Sequence, residues 1–160
     1  MKQIVCALAF LRRDDEILLA MKKRGLGEGK WNGAGGKVTA NETVEQALVR
    51  ESQEEICVTP TAYAKVAYHV FTLNADTDKP FQMLVHTYIV TKWRGEPTES
   101  EEMAPKWFKI ANIPYEDMWE DDQYWLPQVL SGGLVETNIT FGSNDHVLTQ
   151  DIREVARLLN

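Results

Sequence analysis

Gly36-Lys37-Val38-Thr39-Ala40-Asn41-Glu42-Thr43-Val44-Glu45-Gln46-Ala47-Leu48-Val49-Arg50-Glu51-Ser52-Gln53-Glu54-Glu55-Ile56-Cys57-Val58 is the stretch on which the reading of this chain turns. Thr43 followed by Gln46 has the spacing of a capping box, so a helix opens after Thr43. It runs to about Ile56, and Pro60 forbids much continuation. At about 100° per residue, Val44, Ala47 and Leu48 form an apolar stripe with Glu51 in its middle. Glu54 and Glu55 flank it, so three carboxylates share an arc of about 100° on the face turned toward the protein. Like charges at this spacing repel, and burying an unpaired carboxylate is costly. A hard divalent cation resolves both problems, because Mg²⁺ takes oxygen ligands and keeps several waters. The plainer alternative, a solvated acidic helix end, does not account for the coincidence with the core-facing stripe.

Outward from this helix the chain reads as short strands and loops. Ile4 to Leu11 and Ile17 to Met21 are apolar runs around the polar turn Arg12-Arg13-Asp14-Asp15-Glu16, a β-hairpin pattern. Lys2 and Ala7-Leu8-Ala9 faintly imitate a secretory leader, but the apolar run is short and the small residues lie inside it, so a strand is expected. Lys22 to Lys37 carries six glycines and reads as a loop. Tyr63 to Leu73 and Phe81 to Trp93 read as long strands joined by a hairpin loop from Asn74 to Pro80. Met103 to Ile110 reads as another strand. Asp121 to Leu130 suggests a short helix, with Pro127 acceptable only in its first turn or as a break. Val135 to Phe141 reads as a strand, and Val147 to Leu159 as strand, helix or both. With no repeat and no linker, a single domain over residues 1–160 of α+β, mixed-sheet class is expected.

Composition narrows the chemistry. Seventeen basic against 24 acidic residues leave a net charge of −7, which argues against a nucleic-acid polymer as partner. An anionic small molecule would then need a metal to mediate. Cys6 and Cys57 are too few for a disulfide framework, so a reducing, cytoplasmic location is expected. His69, His86 and His146 are scattered and give no zinc-type cluster. No run of ~18 apolar residues exists to span a membrane.

Gly36, Glu42 and Arg50-Glu51-Ser52-Gln53-Glu54-Glu55 stand at the spacing of Gly-x5-Glu-x7-Arg-Glu-U-x-Glu-Glu-x-Gly-U, where U is bulky and apolar. That resembles the signature of the Nudix hydrolases. Two positions depart from it: Ser52 replaces the bulky residue and Cys57 the closing glycine. Met21-Lys22-Lys23-Arg24-Gly25, Gly29-Lys30-Trp31-Asn32-Gly33, Trp107-Phe108 and Asp117-Met118-Trp119-Glu120-Asp121-Asp122 with Tyr124-Trp125 extend the likeness to most of the chain. They resemble the oxidised-purine nucleoside triphosphatases, animal-type relatives of MutT.

The resemblance implies a Nudix fold, a mixed β-sheet sandwiched between helices, in a monomer. It implies Mg²⁺-dependent hydrolysis of an oxidised or modified purine nucleoside triphosphate to monophosphate and pyrophosphate, with Mn²⁺ as a substitute metal. Glu51, Glu54 and Glu55 hold the metal, and the Gly36 carbonyl and Glu102 complete the set. Arg50 and Glu42 orient these ligands. Lys22, and less directly Lys23, neutralises phosphate. Asn32, Phe71, Met83 and Trp119 make the base pocket, in which Asp121 and Asp122 share one proton. On residues alone, Glu102 reads as a solvated acidic turn, Asn32-Gly33 as a tight turn, and Phe71, Met83 and Trp119 as ordinary core. Ala7 and Leu26 replace a threonine and a phenylalanine of the vertebrate pattern. Two rival readings remain: a Nudix hydrolase of ADP-ribose or a nucleotide sugar, and a nucleotide-sensing binding module.

Overall fold

A computed structural model describes all 160 residues. In chain order the elements are β1 (Lys2–Arg13), β2 (Glu16–Lys22), β3 (Trp31–Asn32), β4 (Ala34–Lys37), α1 (Val44–Ile56), β5 (Thr59–Leu73), β6 (Phe81–Arg94), β7 (Met103–Lys109), α2 (Asp122–Leu130), β8 (Leu134–Phe141) and β9 (Val147–Val155). The expected first hairpin is present, with Arg12 opposite Ile17 and Arg13 opposite Glu16. β1 then parts from β2, running parallel to β6 on one side and antiparallel to β4 on the other. The strands form one mixed sheet in the order β3-β2-β1-β6-β5-β8-β9, with β4 on β1 and β7 on β2.

Strict alternation along the buried strands explains why helices cover both faces. Ala7, Ala9 and Leu11 of β1, with Leu18 and Ala20 of β2, join Ala47, Leu48 and Ile56 of α1 in one core. Phe10, Ile17 and Leu19 point the other way and meet Trp125, Leu126 and Val129 of α2 in a second. Strands buried on both faces lose the polar alternation of a one-sided sheet, hence the continuous apolar runs in the sequence. No helix is long and apolar enough to cross a membrane.

Two expectations need correction, and one open alternative is settled. The Lys22–Lys37 segment is not a loop throughout, because β3 and β4 lie inside it. Gly25, Gly27 and Gly29 do adopt φ of 78°, 83° and 82° and make a true loop. Gly33, Gly35 and Gly36 serve closeness instead: a Cβ on Gly33 would stand 2.6 Å from the Ala9 carbonyl oxygen. Pro127 sits in the interior of α2, and the helix continues to Leu130. It lies on the exposed face, where water can solvate the carbonyl it leaves unbonded. The segment after Val147 is strand as far as Val155, paired antiparallel with β8.

The capping box at α1 is present in both directions: the Thr43 hydroxyl accepts from the Gln46 N–H, and the Gln46 side chain accepts from the Thr43 N–H. At its other end Cys57, where a glycine was expected, takes the left-handed conformation at φ 63°, ψ 28°. An L-residue there carries about 1–2 kcal/mol of strain, partly offset by the ~0.5–1 kcal/mol of chain entropy that glycine costs. Cys57 is exposed, so little packing is lost on removing its side chain. Cys57→Gly should therefore raise the melting temperature by ~1–4 °C in calorimetry; an unchanged or lower value would contradict this account of the helix end.

Candidate active site

The structure brings the two ends of the motif reading into one cavity of about 500 Å³. Gly36, Glu51, Glu54, Glu55, Glu102 and Lys22 line its polar end, and Asn32, Phe71, Met83, Trp119, Asp121 and Asp122 its other end. β4 fixes the polar end. It lies so near α1 that a Cβ on Gly36 would fall 2.6 Å from the Glu51 carboxyl carbon. One residue earlier, the Gly35 N–H donates to Glu55 at 3.1 Å.

The three helical carboxylates are not equivalent. Glu55 is 5% exposed, and burial, with the charges of Glu51 and Glu102 nearby, pushes its pKa up to about 7, against the lowering from the Gly35 N–H and Lys22. Glu51 is mostly buried, whereas Glu54, at the edge of the stripe, is 58% exposed. Arg50 ties them together. Its guanidinium donates to Glu51 at 2.8 Å, Glu54 at 3.1 Å, Glu42 at 2.6 and 3.0 Å, and the Lys37 carbonyl at 3.0 Å. The bond to Arg50, with the Thr39 N–H, holds Glu42 down to about 2. Arg50 itself does not line the cavity; it orients groups that do.

These residues surround one cavity mouth but do not form a closed ligand cluster, since no three acidic, histidine or cysteine side chains converge as an ion site. Arg50 accounts for this by drawing Glu51 and Glu54 toward its own positive charge. The donor set nevertheless fits a hard divalent cation: every candidate ligand is an oxygen, and Glu55 is buried without a cationic partner in hydrogen-bonding range. Glu102 is held by Arg24, at 2.9 Å through Nε, with Lys22 Nζ at 3.7 Å. Lys23 turns away to Glu99 and the Ser100 carbonyl, outside the cavity. Ser52 is fully buried beneath the helix, where its hydroxyl donates back to the Leu48 carbonyl at 2.8 Å.

At the far end, Asn32 lies in β3 rather than a tight turn, and its side-chain oxygen accepts from the Gly33 N–H at 2.8 Å. Phe71 and Met83 face each other across β5 and β6. Trp119 meets Phe141 edge-on at 5.3 Å. Asp121 and Asp122 are 1% and 5% exposed, so they are not a solvated loop. Burial raises both, Asp121 to about 6, and Asp122 is raised further by its neighbour's charge. Trp125 Nε1 donates to Asp121 at 2.9 Å, while Asp122 Oδ2 has no protein partner. Trp125 and Phe141, which the sequence reading did not place in the site, line the cavity. The spacing of four between Asp121 and Trp125, one helical turn, was the available signal for the first. Nothing local marked Phe141.

A family model, the NUDIX domain, matches residues 2–129. The chain belongs to the Nudix hydrolase family. This Nudix chain is 39% identical over 148 residues to the oxidized purine nucleoside triphosphate hydrolase of Mus musculus, covering 92% of this chain and 93% of the relative. It is also 39% identical over 151 residues to the protein of that name from Danio rerio, covering 94% and 95%. Its fold matches the crystal structure of a mutator MutT protein from Bacillus halodurans with a TM-score of 0.82, at 20% identity, over 93% of this chain and 97% of that one.

The acid pair has a consequence for stability. A carboxyl whose folded pKa is raised binds protons more tightly folded than unfolded, so stability falls as pH rises from the unfolded toward the folded pKa. Asp122→Asn removes one of the two acids. It should raise the melting temperature at pH 7–8, by ~2–4 °C for each kcal/mol relieved, and change it little at pH 4. Equal melting shifts at pH 4 and pH 8 would show that folding does not raise the pKa of Asp122.

Proposed function

We propose that this Nudix enzyme hydrolyses oxidised or otherwise modified purine nucleoside triphosphates to the monophosphate and pyrophosphate, using Mg²⁺ or Mn²⁺. The observation that carries this reading is the single cavity, with phosphate-side carboxylates at one end and a buried acid pair among aromatic walls at the other. Relatives named for oxidized purine nucleoside triphosphate hydrolysis, matched along nearly their whole length, support it.

In this reading Glu51, Glu54, Glu55, Glu102 and the Gly36 carbonyl hold the cation. When bound, it supplies charge neutralisation and Lewis acidity at phosphate oxygens. Glu55, buried beside the Gly35 N–H at the cavity wall, is the carboxylate fitted to take a proton from the attacking water. Arg50 keeps Glu51 and Glu54 in place, and Lys22 adds positive charge beside the phosphates. Phe71, Met83 and Trp119 receive the base faces, while Asn32 hydrogen-bonds its edge.

Asp121 and Asp122 give that edge its selectivity. A guanine-type edge offers an acceptor at O6, whereas an adenine-type edge offers a donor at N6. Two acids sharing one proton answer either pattern by moving it, which fixed amides cannot do. The unpartnered Asp122 Oδ2 is the atom free to do so. A hydrolase of ADP-ribose or of a nucleotide sugar reads one base pattern only and has no need of a proton that moves between two acids.

The test is a panel of normal, oxidised and methylated nucleoside triphosphates assayed for pyrophosphate release. Modified purines should show the highest kcat/KM, with activity lost in EDTA and restored by Mg²⁺ or Mn²⁺. Glu51→Gln and Glu55→Gln should each lower kcat by ~10²–10⁴ with the fold intact. A preference for pyrimidine nucleotides or for ADP-ribose, or full turnover by both variants, would refute the assignment.

A further inference from the structure

His69 is a histidine in a place where a hydrocarbon would pack more cheaply. It is fully buried on β5, and burial lowers its pKa to about 3, so its ring is neutral. Nδ1 meets the Thr137 hydroxyl of β8 at 2.8 Å, whereas Nε2 has no partner at all. An unpartnered buried nitrogen costs stability that phenylalanine would avoid. His69 does not line the substrate cavity, and nothing in the reaction described above uses it.

Its neighbours show what the ring does. The His69 ring lies parallel to Phe71, with centroids 4.9 Å apart and planes 11° apart. Phe71 meets Phe141 edge-on at 5.8 Å, and Phe141 meets Trp119 at 5.3 Å. On another side His69 abuts the Trp125 indole at 4.3 Å, and that indole donates to Asp121. One arm therefore leads from His69 to the stacking wall of the pocket, and the other to the acid pair. Thr137 pins the ring where the two arms meet.

We propose that His69, oriented by Thr137, is a positioning residue that sets the spacing between the aromatic wall and the Asp121–Asp122 pair, and so the fit of the purine. This rests on the purine reading of the cavity given above. The hydrogen bond is the essential part. With centroids 4.9 Å apart on near-parallel planes the two rings form an offset stack, which leaves the in-plane orientation of the imidazole to its hydrogen bond with Thr137. When that bond is lost and the ring turns, Phe71 and Trp125, close-packed against it, must move with it. The hydrogen-bond and aromatic partners of the ring are Thr137, Phe71 and Trp125, none of them at the carboxylate end of the cavity, which therefore keeps its geometry.

The test compares wild type, His69→Phe, Thr137→Val and the double variant on the nucleotide panel, with melting temperatures alongside. His69→Phe should melt no lower than wild type, yet raise KM for the best modified purine by ~5–20-fold with kcat within about twofold. Thr137→Val, which keeps the ring and removes its anchor, should raise KM in the same direction by ~2–5-fold, and the double variant should be no worse than His69→Phe because the pair acts as one unit. Unchanged KM in both single variants overturns the proposal. So does a KM change matched by lost melting temperature and proportionally lost kcat, which marks His69 as core filler. Should His69→Phe fail to fold, Thr137→Val decides by the same criteria. The wild-type ranking is a separate readout: if its best nucleotide is not a modified purine, the functional reading fails, and the KM of that best nucleotide then judges His69.

Discussion

The closeness of β4 to its neighbours is the constraint on which the site depends. At Gly35, and at Gly33 just before the strand, a side chain would run into the β1 backbone, and at Gly36 it would fit only by displacing the Glu51 carboxylate. That approach puts backbone polar groups next to carboxylates on a helix: the Gly35 N–H reaches Glu55, and Gly36 lies against Glu51. A strand of ordinary residues would hold α1 a side chain's width away. The apolar stripe of α1 then completes the arrangement, since Ala47 and Leu48 dock on β1 and draw Glu51 and Glu55 into the interior with them.

The electrostatics follow from that geometry. α1 turns carboxylates inward that repel one another, and Arg50 compensates two of them while Glu55 is left near neutrality. In the proposed reading a divalent cation would relieve the remaining charge and so let a chain of net charge −7 hold a polyanion. At the opposite end burial raises a second pair of acids, Asp122 further by the charge of Asp121, and in the proposed reading the pair, sharing one proton, serves hydrogen bonding to the base. In that reading the same physical device, carboxylates held out of water, has two different uses in one cavity.

Much of this is legible in the chain because it depends on local spacing. The Thr43–Gln46 box, the stripe carrying Glu51, and the apolar runs of β1 and β2 each follow from residues a few positions apart. Cys57 stands where the resembled signature has its closing glycine, and it is left-handed. What escaped the sequence depends on distant partners. β3 and β4 were hidden because glycine signals a turn and a close approach equally, and only the presence of β1 distinguishes them. Pro127 was misplaced because solvent exposure of one helix face is not visible in a nine-residue segment. Phe141 and His69 enter the account only when β5, β8 and α2 are assembled, through contacts spanning dozens of residues.

The close approach of β4 to α1 can be tested at Gly36, whose φ any residue can adopt, and where the nearest atoms to an added Cβ are those of the Glu51 carboxylate. Because that carboxylate is the far end of a flexible side chain, Gly36→Ala should fold with a melting temperature near wild type while Glu51 is displaced. A misplacement of ~1 Å in a reacting site costs about 10²-fold. The measurement is kcat of Gly36→Ala on a modified purine triphosphate at saturating Mg²⁺, beside its melting temperature. A loss of about that size in a fully folded variant is the predicted result; wild-type kcat would contradict the claim that this strand sets the catalytic geometry.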